Sequence, residues 1–134
     1  MPKVQTLTPP IDGLDRFLNV NMRVGDGKDC PNAAPDVEAV QRLIAIAAGT
    51  FANEHGFPLP QPTGKFDPIT AYYIYHLQNT HHSHKSSAII DGIVSPAHGA
   101  SYGGGFYTII NFNNISRVKN PTAWEALLDR YSDS

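Results

Sequence analysis

The sequence predicts a mainly α-helical domain, chiefly because one short pattern occurs twice. In each copy, a glycine is followed two residues later by an apolar residue and four residues later by a proline. The first copy runs from Gly64 to Pro68 and the second from Gly92 to Pro96. Glycine suits a tight turn, and proline suits the first turn of a helix. A repeated unit of turn and helix is typical of structures whose neighbouring units share one core.

The chain before the repeat contains many turn-forming residues, which predict an irregular N-terminal arm over residues 1–23. Prolines and glycines follow one another closely there and in the next ten residues. Within the arm we expect four apolar side chains to pack as a short segment on the core: Leu14, Phe17, Leu18 and Val20.

The first helix is predicted to begin at Pro35 or Asp36 and to end at or near Gly49. Its apolar side chains recur at helical spacing, and one polar residue, Gln41, falls on the same face. Residues 51–62 contain several prolines and are predicted to form a loop. The residues expected to face the core are Val37, Val40, Gln41, Leu43, Ile44 and Ala47.

A second helix is predicted over residues 68–80, with Asp67 as its N-cap. Ala71, Ile74 and Leu77 form its inward stripe. Gln78 follows an apolar residue, as Gln41 does in the first helix. The next residues, 80–87, are predicted to be a polar loop.

The last third of the chain begins with a glycine-rich stretch and then becomes apolar. Residues 106–112 suit a strand or a helix, and Asn113-Asn114 suit the turn of a short hairpin. A helix is predicted over residues 121–131, with Asn120 as the cap. Its inward side chains, spaced i, i+3, i+4 and i+7, are Trp124, Leu127, Leu128 and Tyr131.

Composition excludes several classes of function. The chain has 134 residues and a formal net charge of -2, without a basic run, so we expect one domain and no nucleic-acid partner. The sequence has no apolar stretch of about 18 residues, so we expect no membrane span. The first residues lack the apolar run of a secretory signal, so we expect synthesis in the cytoplasm. The single cysteine, Cys30, cannot form an internal disulfide.

Histidines are the main candidates for chemistry. His76, His81, His82 and His84 lie close together in sequence, and imidazole is a common metal ligand. No cysteine or carboxylate accompanies them at the spacing of a zinc site, so a solvated polar loop is the preferred interpretation. Nucleophile motifs and phosphate-binding loops are also absent from the sequence. We therefore expect no enzymatic activity, no cofactor and no metal ion.

Taken together, these residues resemble the small peptidoglycan-binding domain that accompanies many bacterial and phage cell-wall enzymes. The resemblance covers roughly residues 24–98 and implies a three-helix bundle, here with a C-terminal extension. Either Thr108–Asn113 or the segment beginning at Trp124 would supply the third helix. The residues that match the family pattern are Asp36, Val37, Val40, Gln41, Ile44, Gly64, Phe66, Pro68, Thr70, Leu77, Gln78, Asp91, Gly92, Val94 and Pro96.

The sequence also departs from the family pattern. Thr63 stands where aspartate is expected, Asp67 and Ser95 replace glycines, and Tyr73 replaces a small alanine. In the family pattern, the third helix follows the second turn directly. Here residues 99–134 follow instead, and they form a glycine-rich insertion and then the C-terminal helix.

The resemblance implies a non-catalytic module that binds the glycan or the stem peptide of peptidoglycan. It would reach the cell wall or periplasm by lysis or by a non-classical secretion route. The alternative is a protein–protein interaction module, or an accessory or immunity-like module, of a phage or a contractile secretion system on the same scaffold. Aromatic rings with polar tips suit such contacts. The candidate groove residues are Tyr72, Tyr75, His76, Asn79, Tyr102 and Tyr107.

Overall fold

The computed structural model describes residues 1–11, 13–82, 90–99 and 106–132. In chain order, the strands and helices are β1 (Lys3–Ile11), β2 (Leu14–Asn19), β3 (Val24–Gly25), α1 (Ala34–Ala47), α2 (Gly49–His55), α3 (Pro68–His82), β4 (Ile93–Val94), α4 (Thr108–Lys119) and α5 (Pro121–Ser132). None of the described helices is both long enough and apolar enough to cross a membrane.

The architecture is mixed α/β, so the predicted mainly α three-helix bundle is wrong. Within the described residues, five helices accompany two small antiparallel sheets, β1–β2 and β3–β4. The helices α1, α3 and α4 lie in contact with one another, and α5 packs on α1 and α4.

The N-terminal arm is a β-hairpin rather than an irregular segment. Val4 pairs with Leu18 and Lys3 pairs with Asn19. The turn signals misled because they belong to the hairpin. Gly13 lies in the turn with a positive φ of 88°, and Pro9 and Pro10 fall within strand β1. The four apolar side chains expected on the core, Leu14, Phe17, Leu18 and Val20, are indeed buried.

Two asparagine side chains join this hairpin to the rest of the fold. The Asn113 amide donates to the Leu18 carbonyl oxygen at 2.9 Å and accepts from the Leu18 N–H at 2.8 Å. The Asn19 amide makes the same pair of bonds with Ala97, at 3.1 and 3.0 Å. An amide side chain can thus replace a neighbouring strand, because it offers one donor and one acceptor in a plane.

Two further segments differ from the prediction. The expected loop after Gly49 begins with α2, which ends where Gly56 takes a left-handed conformation with φ of 67°. Asn113 lies inside α4 and turns no hairpin. Asparagine has a low helix propensity, but the bonds of the buried Asn113 amide to Leu18 outweigh that preference.

The other helices agree with the sequence. The residues expected on the inner faces of α1 and α5 are buried. Asp67 caps α3, since its carboxylate accepts the Thr70 N–H at 2.8 Å. Asn120 caps α5 by accepting the Ala123 N–H at 3.1 Å.

The first glycine turn is held by the buried side chain of Gln41. Its Oε1 accepts the Gly64 N–H at 3.0 Å, and its Nε2 donates to the Lys65 carbonyl oxygen at 3.0 Å. The same Nε2 donates to Thr70 Oγ1 at 3.1 Å. Gly64 has φ of 77°, which a side chain rarely tolerates. One glutamine therefore ties α1 to the turn and to the start of α3.

Gln78 repeats this arrangement at the second turn. Its Oε1 accepts the Gly92 N–H at 2.9 Å, and its Nε2 donates to the Ile93 carbonyl oxygen at 3.1 Å and to Thr108 Oγ1 at 3.0 Å. Gly92 has φ of 73°. Thr108 thus corresponds to Thr70, so α4 rather than α5 follows the second turn.

We expect Gln41→Met to lower the free energy of unfolding by about 2–4 kcal/mol, because it leaves the buried Gly64 N–H and Lys65 carbonyl without partners. Denaturant unfolding measures the loss. Gln61→Met, at an exposed position, is the matched control and should change stability by less than about 0.5 kcal/mol. Equal effects of the two substitutions would contradict the assigned role of Gln41.

The β3–β4 pair predicts a contrast between two glycines. A Cβ at Gly25 would lie 2.5 Å from the Gly92 carbonyl oxygen and 2.8 Å from Ile93 Cα, whereas a Cβ at Gly49 would meet no atom within 4 Å. Gly25→Ala should therefore destabilise the protein by about 2 kcal/mol. Gly49→Ala should stabilise it by up to about 1 kcal/mol, since alanine is the better helix former. Thermal unfolding that ranks them in the opposite order would refute this reasoning.

Candidate functional site

The outer face of α3 carries four of the six predicted groove residues. At 100° per residue, Tyr72, Tyr75, His76 and Asn79 fall within an arc of about 100°. Tyr72 and Tyr75 are 48% and 41% exposed, which is high for tyrosine. Asn79 is exposed and His76 is half-buried.

Tyr75 and Tyr107 each lie against another part of the fold. The Tyr75 ring lies over the second glycine turn, where a Cβ at Gly92 would be 2.5–2.7 Å from its ring and hydroxyl atoms. Tyr107 is the N-cap residue of α4 and packs against the core. The predicted contribution of Tyr102 lies outside the described residues.

Tyr72 and His76 belong to an aromatic cluster that the sequence did not predict. The Phe51 and His76 rings have centroids 4.0 Å apart, and the Tyr72 ring stacks with His76 at a centroid distance of 5.9 Å. His55 lies 4.5 Å from Phe51, and Phe57 makes an edge contact with Tyr72 at 6.4 Å. The i, i+4 spacing of Phe51 and His55 was the available signal, but the prolines that follow favoured a loop.

On one side of this cluster lies an exposed apolar surface, which we call the aromatic patch. Its side chains come from α3 and from the segment after α2. Phe57 is 48% exposed and Ile69 is 37% exposed. Large apolar side chains exposed side by side are typical of binding surfaces. The patch consists of Phe57, Pro58, Pro68, Ile69 and Tyr72.

On the other side lies a groove of about 460 Å³ between α2, α3 and α4. Phe51 and His76 form the boundary that it shares with the aromatic cluster. Its volume falls within the range of ligand-binding pockets. Its lining combines apolar residues with two charged ones, Glu54 from α2 and Lys119 from α4.

Burial shifts the pKa of two titrating groups near the boundary between the aromatic cluster and the groove. Burial, and secondarily the charge of nearby His55, lowers the pKa of His76, so its imidazole is neutral at neutral pH. Burial, and then Tyr72, raises the pKa of Tyr73. The Tyr73 hydroxyl is buried and makes no hydrogen bond to any described residue. At this boundary, the His76 imidazole and the Tyr73 hydroxyl are therefore uncharged at neutral pH.

Within the described parts of the chain, no three histidine, cysteine, aspartate or glutamate side chains are grouped closely enough to hold a metal ion. His84 and the side chains of His81 and His82 lie outside the described part, so the interpretation of that segment as a solvated loop stays a prediction.

Comparisons with known proteins identify no relative: no protein family, no curated protein and no solved structure matches the chain.

The lowered pKa of His76 predicts a pH-dependent stability. The unfolded chain binds the proton at higher pH than the folded chain, because histidine has a pKa of about 6.5 in unfolded peptides. The contribution of the neutral His76 side chain to the free energy of unfolding is therefore fully present above about pH 6.5. It is lost as pH falls through the lower pKa of the folded chain. His76→Phe, which keeps an aromatic ring in the stack, should lose less stability than the wild type between pH 7 and pH 5.

Denaturant unfolding at several pH values measures this difference. Tyr72→Phe keeps His76 and both rings of their contact, so it is the matched control and should follow the wild type. Identical losses in wild type and His76→Phe would contradict the burial of a neutral imidazole.

Proposed function

We propose that the chain is a non-catalytic binding module for peptidoglycan, whose ligand lies against the aromatic patch and the adjoining outer face of α3. The observation that carries the proposal is the exposed pair Phe57 and Tyr72, two rings that contact each other edge to face. Sugar rings have apolar faces of C–H groups that pack on aromatic side chains, while hydroxyls at the edges reach polar tips such as the tyrosine hydroxyl.

The repeated turns support the resemblance behind this proposal. Of the residues that match the family pattern, Gln41 and Gln78 hold their turns through equivalent bonds, and Gly64 and Gly92 share a left-handed conformation. These residues serve the fold, so they support the likeness of the two turns and carry no information on the ligand.

A protein partner is the second candidate, favoured by a specific observation. Ile69 is an exposed aliphatic residue at the edge of the aromatic patch, and aliphatic side chains suit a protein surface better than a sugar. In either case affinity is expected to be modest, because the surface is small. If peptidoglycan is the ligand, the module acts at the cell wall, which it reaches by lysis or by a secretion machine.

Sedimentation with insoluble peptidoglycan tests the proposal. The wild type should co-sediment, and the double variant Phe57→Ala/Tyr72→Ala should bind at least about tenfold more weakly, equivalent to about 1.4 kcal/mol. Met22→Ala, which removes an exposed apolar side chain outside the patch, is the matched control and should bind as the wild type does.

Two results would contradict the proposal. Wild-type sedimentation no greater than that of an unrelated protein would reject peptidoglycan and leave the protein partner as the better candidate. Unchanged binding by the double variant would reject the aromatic patch as the binding surface.

A further inference from the structure

We propose that α2 is a pH-dependent lid, which packs on α3 at neutral pH and separates from it when the His76 imidazole is protonated. The lid carries Phe51 and Glu54 of the groove and leads directly into Phe57 of the aromatic patch. Its opening therefore changes both surfaces together. The inference concerns the shape of this part of the fold and holds whichever ligand binds there.

The seven-residue helix α2 buries little of its own surface. Ala52 is its one buried residue, and Phe51 is half-buried. A Cβ at Gly49 would meet no atom within 4 Å, and Gly56 ends the helix in a left-handed conformation. Hinges are often small residues that absorb a backbone rotation. A short helix between two glycines can therefore open locally while the rest of the core stays packed.

Aromatic contacts attach the lid to α3. The Phe51 ring centroid lies 4.0 Å from that of His76, and Phe51 meets Tyr73 edge-on at 6.3 Å. After the helix ends, Phe57 meets Tyr72 edge-on at 6.4 Å. Histidine is the residue type among these that gains a charge in mild acid, so the central contact of the lid is the one that pH can change.

Protonation of His76 opposes this contact. Burial lowers the pKa of His76, and the charge of His55 lowers it further, so the imidazole binds a proton more readily once it reaches water. His55 lies on α2 and contacts the same Phe51 ring, at 4.5 Å. Separation of α2 from α3 hydrates His76 and also moves the like charge of His55 away from it. Acid therefore favours the open lid.

The charges that α2 and α4 place in the groove beside His76 are of opposite sign. They are Glu54 and Lys119, and it is burial and His55 that determine the direction in which the pKa of His76 moves. Further neighbours from α1 and α3 supply methyl groups and aromatic rings. They are Ala47, Ala48, Tyr72 and Tyr73.

A buried hydroxyl also weakens the closed state. Tyr73 is 1% exposed, and its hydroxyl makes no hydrogen bond to any described residue. An unpaired buried polar group costs free energy that hydration recovers. Because Phe51 packs against the Tyr73 ring, its displacement removes one of the rings that surround this side chain. The closed lid is thus maintained by ring packing against the hydration of two polar side chains.

NMR of the isotope-labelled protein between pH 7.5 and the pH at which His76 is charged tests the lid. At pH 7.5 we expect nuclear Overhauser contacts from the Phe51 ring to the rings of His76 and Tyr73. Both contacts should disappear as His76 is protonated, while the cross-strand contact between Val4 and Leu18 of the hairpin remains. Ring contacts that persist when His76 is charged overturn the inference, and so does loss of the hairpin contact at the same pH.

Three variants separate His76 from a general effect of acid. His76→Phe keeps a ring without a titrating group and should keep the contact between Phe51 and Tyr73 at every pH. His55→Phe should open to a smaller extent at each pH, because the like charge that opposes protonated His76 is gone. His98→Phe changes an exposed histidine outside the cluster and should open as the wild type does. Wild-type opening of His76→Phe or of His55→Phe overturns the inference.

Discussion

The structure depends on buried carboxamide side chains that replace backbone partners. Among the described residues, each of four such groups accepts an N–H and donates to a carbonyl of a distant segment, so it supplies both hydrogen bonds that a neighbouring strand would provide. The small sheets and turns of this chain have few backbone partners of their own, and an unpaired buried N–H or carbonyl costs about 1–3 kcal/mol. The four residues are Asn19, Gln41, Gln78 and Asn113.

This constraint also determines which surface remains for a ligand. The inner face of α3 is occupied by core residues and by Gln78, which fixes the second turn and the start of α4. The exposed side chains of α3 therefore lie mainly on its outer face, where α2 brings Phe51 against His76. The aromatic patch and the groove lie on the two sides of this one contact.

Apolar periodicity was sufficient to predict α1, α3 and α5, because each buries a continuous stripe. It missed the N-terminal hairpin and left α4 open between strand and helix, because their positions depend on bonds between Asn113 and Leu18, 95 residues apart in sequence. Tyr72 and His76 could be assigned to an exposed face from spacing alone. Phe51, Phe57 and Lys119 could not be assigned to the site, because only the packing of α2 and α4 on α3 brings them there.

The most direct test of the account is a titration of the isotope-labelled protein with soluble peptidoglycan fragments that contain both sugar and stem peptide, followed by NMR. The account predicts chemical-shift changes concentrated on α2, the segment after it and the outer face of α3, with the β1–β2 hairpin unaffected. Changes confined to the hairpin, or none at saturating ligand, would contradict it.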